Sequence, residues 1–170
     1  MTIHSEHPFL LPEGDRRPVR RFRGRLVSPV TIWTAQVDGR RPAGLTVSSV
    51  MVADGEPGQV VGLVGEDSDL AEALTASGRF AVAILGVQHR ALADTLAGLL
   101  PAPGGAFASG DWTPTPWGPV PADALAWVGA RLVGDPESAG WSLLVRGEVE
   151  QVTIADGDPL AHHRGRYGQL

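Results

Sequence analysis

The chain has 170 residues, which is the usual size of one compact domain. Its formal net charge of −5 offers no general attraction for phosphate backbones or anionic lipid, so we expect neither a nucleic-acid nor a membrane partner. Cysteine is absent, which excludes disulfides, thiolate nucleophiles and iron–sulfur clusters, and any redox chemistry would need a bound cofactor.

The N-terminal segment is polar and rich in proline and arginine, with no apolar run of signal-peptide length. We therefore expect a cytoplasmic protein that consists of an arm over residues 1–18 and one domain over residues 19–170. A basic cluster spans the end of the arm and the start of the domain, and we expect it to be a solvated face at the edge of a strand. Its members are Arg16, Arg17, Arg20, Arg21, Arg23 and Arg25.

The first half of the chain shows strand patterns. Residues 30–37 are β-branched and aromatic, and the dipeptide Asp38-Gly39 that follows is a strong hairpin signal. We expect the return strand over residues 43–50. After a turn rich in glycine and proline, residues 59–64 have the composition of a buried strand.

Two short helices are expected in the middle of the chain. Asp67, Ser68 and Asp69 are all good N-caps for the first helix, and Gly78 supplies a left-handed C-terminal stop. Residues 79–85 then have the pattern of another strand, and residues 88–97 have the apolar spacing of a second helix.

The last third returns to β structure. Residues 99–121 form a long loop rich in proline, glycine and aromatic residues, of the kind that borders binding sites. Residues 125–133 and 141–154 are predicted to form one long hairpin, followed by a tail over residues 158–170. With about six strands and no alternation of strand and helix, the chain is predicted to be mainly β, an antiparallel barrel with short helical insertions.

Two segments could hold a nucleotide, although neither the dinucleotide fingerprint nor the phosphate loop is present. The first is the small polar run Gly44, Leu45, Thr46, Val47, Ser48 and Ser49. The second is Glu66, Asp67 and Ser68 at a helix N-terminus, where backbone amides suit a phosphate, and Arg79 can add a guanidinium. The alternative is that these residues only serve β propensity and helix capping.

A polar cluster lies near the end of the chain, where an imidazole and a guanidinium could meet a pyrophosphate or a carboxamide. It contains His162, His163, Arg164 and Tyr167, although adjacent histidines are also common in exposed tails. The five histidines lack ligand spacing, so we expect no metal site. No Gly-x-Ser-x-Gly elbow is present, so a hydrolase triad is not expected.

Four segments have an informative order and spacing. They are Ser28-Pro29-Val30-Thr31-Ile32-Trp33-Thr34-Ala35, Ala43-Gly44-Leu45-Thr46-Val47-Ser48-Ser49-Val50, Ser77-Gly78-Arg79-Phe80-Ala81-Val82, and Pro159-Leu160-Ala161-His162-His163-Arg164-Gly165-Arg166-Tyr167. Taken together, they resemble the flavin reductase family of FMN-binding split barrels, from about Pro29 to Tyr167.

The resemblance implies a homodimer with flavin near the subunit interface. It implies that the flavin ring contacts the strand over residues 44–49. The flavin phosphate would contact the turn at Glu66, Asp67 and Ser68 together with Gly78, Arg79 and Phe80. The tail motif maps onto His163, Arg164, Gly165 and Tyr167, which would lie near the nicotinamide, with His163 and Tyr167 as the residues that serve the reaction.

The implied activity is that of an NAD(P)H-dependent flavin reductase, in which hydride passes from nicotinamide C4 to N5 of FMN or FAD and the reduced flavin supplies a partner monooxygenase. Two alternatives stay open: a flavin-binding electron carrier without turnover, and a split barrel for a deazaflavin, pyridoxal phosphate or haem. The chain departs from the family pattern at residues 54–58 and at Asp69-Leu70, which leaves the choice between FMN and FAD open.

Overall fold

The computed structural model describes residues 17–169, so all but the last two residues of the predicted arm lie outside the described part of the chain. The described residues form three α-helices and thirteen strands, several of them very short. The helices are α1 (Pro18–Arg23), α2 (Asp69–Ser77) and α3 (Arg90–Leu96), the last preceded by a 3₁₀ turn (Val87–His89). The strands are β1 (Ser28–Pro29), β2 (Thr31–Ala35), β3 (Ala43–Val47), β4 (Val50–Ala53), β5 (Gln59–Gly65), β6 (Arg79–Ile84), β7 (Trp112–Thr113), β8 (Val120–Pro121), β9 (Ala126–Leu132), β10 (Glu137–Ala139), β11 (Ser142–Ile154), β12 (Leu160–His163) and β13 (Arg166–Gln169).

One curled antiparallel sheet makes up the body of the protein. Its strands follow the order β3-β2-β6-β9-β11-β5-β4, with β10 paired to β11. The two edge strands β3 and β4 are consecutive in the chain, yet no ladder joins them among the described residues. The sheet therefore curls into a barrel that stays open between its first and last strands, which confirms the predicted split barrel.

Two stacked aromatic rings fill the centre of the sheet. Trp33 and Phe80 are fully buried, and their ring centroids lie 5.0 Å apart with an interplanar angle of 8°. Glycines on facing strands make room for them, because a Cβ at Gly62 would lie 2.5 Å from the Trp33 ring and one at Gly147 would lie 2.6 Å from the Phe80 ring. The sheet can curl this tightly because glycine, at these two positions, has no side chain that would collide with the rings.

A second apolar cluster, separate from the one around Trp33 and Phe80, packs α3 against the sheet and anchors the C-terminal tail. It contains Val30, Ile32, Leu85, Ala93, Leu96 and Leu160. The sequence predicted only a tail over residues 158–170, and the structure shows that β12 and β13 form a hairpin there, which joins β1 in a small three-stranded sheet. Its turn places Arg164 at φ 50° and Gly165 at φ 78°. An arginine at the first left-handed position is not one of the usual hairpin signals, which is why the pattern was missed.

The predicted ends of the first predicted helix agree with the structure, but the predicted end of the return strand does not. Helix α2 begins at one of its three predicted caps, since Ser68 Oγ accepts a hydrogen bond from Ala71 N, and it ends at the predicted Gly78, which has φ 69°. The return strand was predicted to continue to Val50, but β3 ends at Val47 and Val50 begins β4, because the chain crosses there from one sheet edge to the other.

The basic cluster was expected at a strand edge, but its described members lie in and beside α1. Pro18 occupies the first turn of that helix, where the missing N–H of proline does no harm. None of the side chains of α1 is buried. Among the residues that the structure describes, no helix has the length and apolar character needed to cross a membrane.

Candidate functional site

Strand β3 carries the first predicted nucleotide segment and lies at the edge of the sheet. One face of it is closed by the protein itself, because Thr46 Oγ1 donates a 2.6 Å hydrogen bond to the carbonyl oxygen of Ala93 in α3. On the same face, a Cβ at Gly44 would lie 2.9 Å from the Phe107 ring. The Thr46 hydroxyl therefore holds α3 against β3, and the long aromatic loop covers Gly44.

The other face of β3 opens into a shallow depression. Leu45 lines it together with Gly65, the turn at Glu66, Asp67 and Ser68, and the indole of Trp141, and its volume is about 540 Å³. The structure thus brings together the two segments that the sequence singled out, the 44–49 strand and the 66–68 turn. The volume lies in the range of small-molecule sites, although the depression is open rather than enclosed.

Beyond β3, the chain offers further hydrogen-bonding groups. The outer edge of β3 has no partner strand among the described residues, so alternate backbone groups along it can bind a ligand. Ser48 and Ser49 are half-buried, and neither hydroxyl bonds to another described residue. Val47 is buried in the core and contributes only its backbone.

The turn before α2 combines amide donors with acidic side chains. Ser68 Oγ donates to the carbonyl oxygen of Gly65 and accepts from the Ala71 amide, while the first helical amides, those of Asp69 and Leu70, point beyond the helix end. On the α2 side of this turn lies a second depression, bordered by Glu66, Asp67, Asp69 and Glu72. Arg40 contacts Glu72 at 3.5 Å, with both side chains exposed.

Three predicted phosphate contacts lie at the opposite end of α2. Gly78 caps the helix and Arg79 begins β6, so both are separated from Ser68 by nine helical residues, or about 14 Å. Phe80 is fully buried against Trp33, and its ring therefore packs inside the sheet. The structure does not bring this group to the Ser68 turn.

The predicted nicotinamide residues form the β12–β13 hairpin. His163 is exposed beside the turn made by Arg164 and Gly165, and the Arg164 amide donates to the Gly24 carbonyl oxygen at 3.0 Å. Tyr167 faces the other way, because residues alternate between the two faces of a strand. Its hydroxyl donates a 2.6 Å hydrogen bond to Asp94 Oδ1.

Burial raises the pKa of the Tyr167 phenol, and the hydrogen bond to Asp94 raises that pKa further. Tyr167 therefore stays protonated at neutral pH and acts as a donor. His162 packs edge-on against the Tyr167 ring, with ring centroids 5.7 Å apart. Burial and the nearby charge of Arg23 lower the pKa of the His162 imidazole, so this ring is neutral at pH 7.

Helix α3 connects the two predicted groups. Its consecutive residues Ala93 and Asp94 hold Thr46 of β3 and Tyr167 of β13, respectively. The flavin strand and the nicotinamide hairpin of the sequence prediction are therefore fixed to neighbouring points of one helix.

Sequence reasoning missed two residues of this region. Trp141 lines the depression beside Leu45, and Asp94 is 8% exposed and holds Tyr167. Neither carries a local signal, because a tryptophan at a strand start and an aspartate within a helix are ordinary. Only the fold brings them to the site.

The chain was compared with protein families and with known proteins. The family model described as a flavin reductase like domain matches residues 23–170. A Rhodococcus opacus protein, the reductase component of 4-nitrophenol 4-monooxygenase/4-nitrocatechol 2-monooxygenase, is 33% identical over 157 residues, which cover 92% of this chain and 82% of that protein. The FMN reductase (NADH) SmoA of Agrobacterium fabrum is 28% identical over 171 residues, covering 100% of this chain and 95% of SmoA.

Among solved structures, that of the flavin reductase PheA2 superposes with a TM-score of 0.82 at 30% identity, covering 92% of this chain and 98% of that one. The family model extends from the end of α1 to the C-terminal residue and includes β3, the Ser68 turn and the β12–β13 hairpin. This chain belongs to the family of flavin reductase like domains.

Proposed function

We propose that this protein is an NAD(P)H-dependent flavin reductase that reduces FMN or FAD and supplies the reduced flavin to a partner monooxygenase. The observation that carries the proposal is the pair of hydrogen bonds to α3, from Thr46 to Ala93 and from Tyr167 to Asp94. They fix a strand suited to a flavin and a hairpin suited to a nicotinamide to neighbouring residues of one helix. When bound, the flavin supplies the two-electron acceptor.

The residues of the depression fit a flavin nucleotide. A flavin needs an apolar wall for its ring, donors and acceptors along its pyrimidine edge, and amides for its phosphate. Leu45 provides apolar surface, the outer edge of β3 with Ser48 and Ser49 provides polar groups, and the turn at Ser68 provides amides. Gly78 and Arg79 lie at the other end of α2 and line no part of this depression.

The hairpin residues are proposed to bind the nicotinamide nucleotide. Arg164 is exposed at the hairpin turn and can pair with a phosphate, while His163 presents a ring nitrogen to solvent beside it. Tyr167 keeps the hairpin in place through Asp94. The chain's contribution to the reaction is therefore positioning, which brings the two rings together in a fixed orientation.

Several finer points belong to the same proposal. NADH is the expected donor, because relatives with this specificity in their names cover nearly the whole chain. A flavin-dependent monooxygenase is the expected partner, because the Rhodococcus relative is a reductase component. We also propose a homodimer, which is supported by apolar side chains left exposed on the sheet, and a cytoplasmic location.

The test is to follow the ultraviolet absorbance of NADH, and separately of NADPH, mixed with the purified protein and excess FMN or FAD in air. Steady decay well above a protein-free blank supports the reductase. A flat trace with every flavin and both nucleotides, from protein that binds flavin, would overturn it in favour of a carrier. A visible spectrum of another chromophore in the purified protein would indicate a different cofactor in the barrel.

A further inference from the structure

Trp141 is a large aromatic residue left open at the candidate flavin site. Its side chain is 72% exposed, although tryptophan usually buries most of its ring area. It lies in the two-residue turn between β10 and β11 and lines the depression together with Leu45 and the turn at residues 66–68. An exposed indole in the wall of a concave site is a surface on which a second aromatic ring can stack.

A guanidinium already covers one part of this indole. The Arg17 Cζ atom lies 4.5 Å from the centroid of the Trp141 ring, in the geometry of a cation–π contact. The positive charge of Arg17 therefore lies at the rim of the depression. Trp141 and Arg17 together offer a stacking surface and a charge that can pair with a phosphate.

The negative charge around the Ser68 turn favours FAD over FMN. Glu66 and Asp67 border the depression on the side of Trp141, and Asp69 and Glu72 continue the acidic border along α2. The terminal phosphate of FMN is a monoester with a second pKa of about 6, so it carries nearly two negative charges at neutral pH. FAD carries a similar total charge, but it is spread over two phosphates with one charge each, so the carboxylates at this turn repel the phosphate held there less.

We propose that Trp141 and Arg17 form the binding site for the adenosine part of FAD, with the adenine ring stacked on the Trp141 indole, so that this chain prefers FAD to FMN. This rests on the proposed function, since it takes the flavin ring to lie along β3 and the phosphate to lie at the Ser68 turn. Trp141 is the aromatic residue in the lining of the depression, and it is available there to the group attached beyond that phosphate. Base–aromatic stacking on a protein surface tolerates different bases and needs only an open ring face.

The test measures flavin binding without turnover. Dissociation constants for FAD, FMN and riboflavin are determined by ultrafiltration and flavin absorbance, for the unmodified protein and for Trp141→Ala, Trp141→Phe and Arg17→Ala. Phe22→Ala is the matched control, because Phe22 is an aromatic residue with 69% exposure that does not line the depression. Far-ultraviolet circular dichroism and thermal melting check that each variant is folded.

We expect the unmodified protein to bind FAD more tightly than FMN. Trp141→Ala raises the dissociation constant of FAD about tenfold and leaves those of FMN and riboflavin within about twofold. Trp141→Phe keeps most of the FAD affinity because it keeps a ring, Arg17→Ala weakens FAD by a smaller factor, and Phe22→Ala changes nothing.

Two results would overturn the inference. An unchanged FAD constant in Trp141→Ala would mean that the indole contacts no part of FAD. An equal loss for all three flavins would mean that it contacts the isoalloxazine ring. The proposed function fails separately, if no flavin supports NADH or NADPH oxidation by the unmodified protein.

Discussion

Adjacent histidines near the C-terminus have different environments, because strand β12 directs them to opposite faces. His162 is half-buried against Tyr167, while His163 is exposed beside the turn of the hairpin. The residue pattern predicted a polar cluster here, and only the family resemblance distinguished His163 from His162. That separation depends on the strand, which the sequence did not reveal.

His163 is expected to serve nicotinamide binding. We predict that His163→Ala raises the KM for NADH about tenfold and changes the flavin dissociation constant less than twofold, because a hydrogen bond to a charged group is worth about 1.5–3 kcal/mol. Steady-state kinetics and flavin ultrafiltration measure the two effects. Gln151→Ala, an exposed polar change on β11, is the control. Equal losses for both ligands would remove His163 from this role.

Tyr167 is expected to hold the same hairpin through Asp94. Tyr167→Phe leaves a carboxylate that is 8% exposed without its donor, so we predict a loss of about 1–3 kcal/mol in the free energy of unfolding and a higher KM for NADH. Urea unfolding and steady-state kinetics measure them. Asp94→Asn keeps an acceptor oxygen for the phenol and should lose less. If Tyr167→Phe unfolds like the unmodified protein, the bond to Asp94 is not a significant anchor.

Helices and strands could be predicted where local residues define their ends. They could not be predicted where contacts with distant strands define those ends. Helix α2 was predicted well because Ser68 and Gly78 fix its two ends through their own backbone and side-chain chemistry. The break between β3 and β4 was not predicted, since residues 43–53 remain apolar and β-branched on both sides of Ser48-Ser49. Only the partner strands, β2 for β3 and β5 for β4, decide where one ends.

The glycines of the sheet permit the stacked pair at its centre. A Cβ at Gly147 of β11 would lie 2.6 Å from the Phe80 ring and 2.9 Å from the Ala130 Cβ. We predict that Gly147→Ala lowers the free energy of unfolding by about 1–3 kcal/mol through overpacking, measured by urea denaturation. Gly168→Ala is the control, because a Cβ there meets no atom within 4 Å. Equal stability of the two variants would mean that the Phe80 ring moves aside at little cost.

For the whole molecule, the candidate site combines segments that are distant in the sequence. The motifs at residues 44–49 and 163–167 could be recognised because each is continuous. The acidic border of the Ser68 turn and the indole of Trp141 come from separate segments, and only the curled sheet brings them together. A choice between FMN and FAD therefore cannot be predicted from any one stretch of the chain.

The apolar face of the sheet continues beyond its covered part. Val152 is paired in register with Val128, which packs against the core, yet Val152 is 51% exposed and Ile154 is 79% exposed. Ile84, 38% exposed, lies in the same row as Ile154 across β6, β9 and β11. Exposed apolar residues grouped in this way commonly mark a protein interface. We propose that a second copy of the chain covers this patch of Ile84, Val152 and Ile154.

Light scattering coupled to size exclusion tests this, and the expected mass is twice that of a 17.8 kDa chain. The double change Val152→Asp and Ile154→Asp should yield monomers, because burying carboxylates without partners at an interface costs several kcal/mol. Leu99→Asp, at an exposed apolar residue outside the sheet, should leave the dimer intact. If the double variant remains dimeric and folded, the interface lies elsewhere. If it is monomeric and loses flavin affinity too, the second copy also supports the flavin site, as the family resemblance implies.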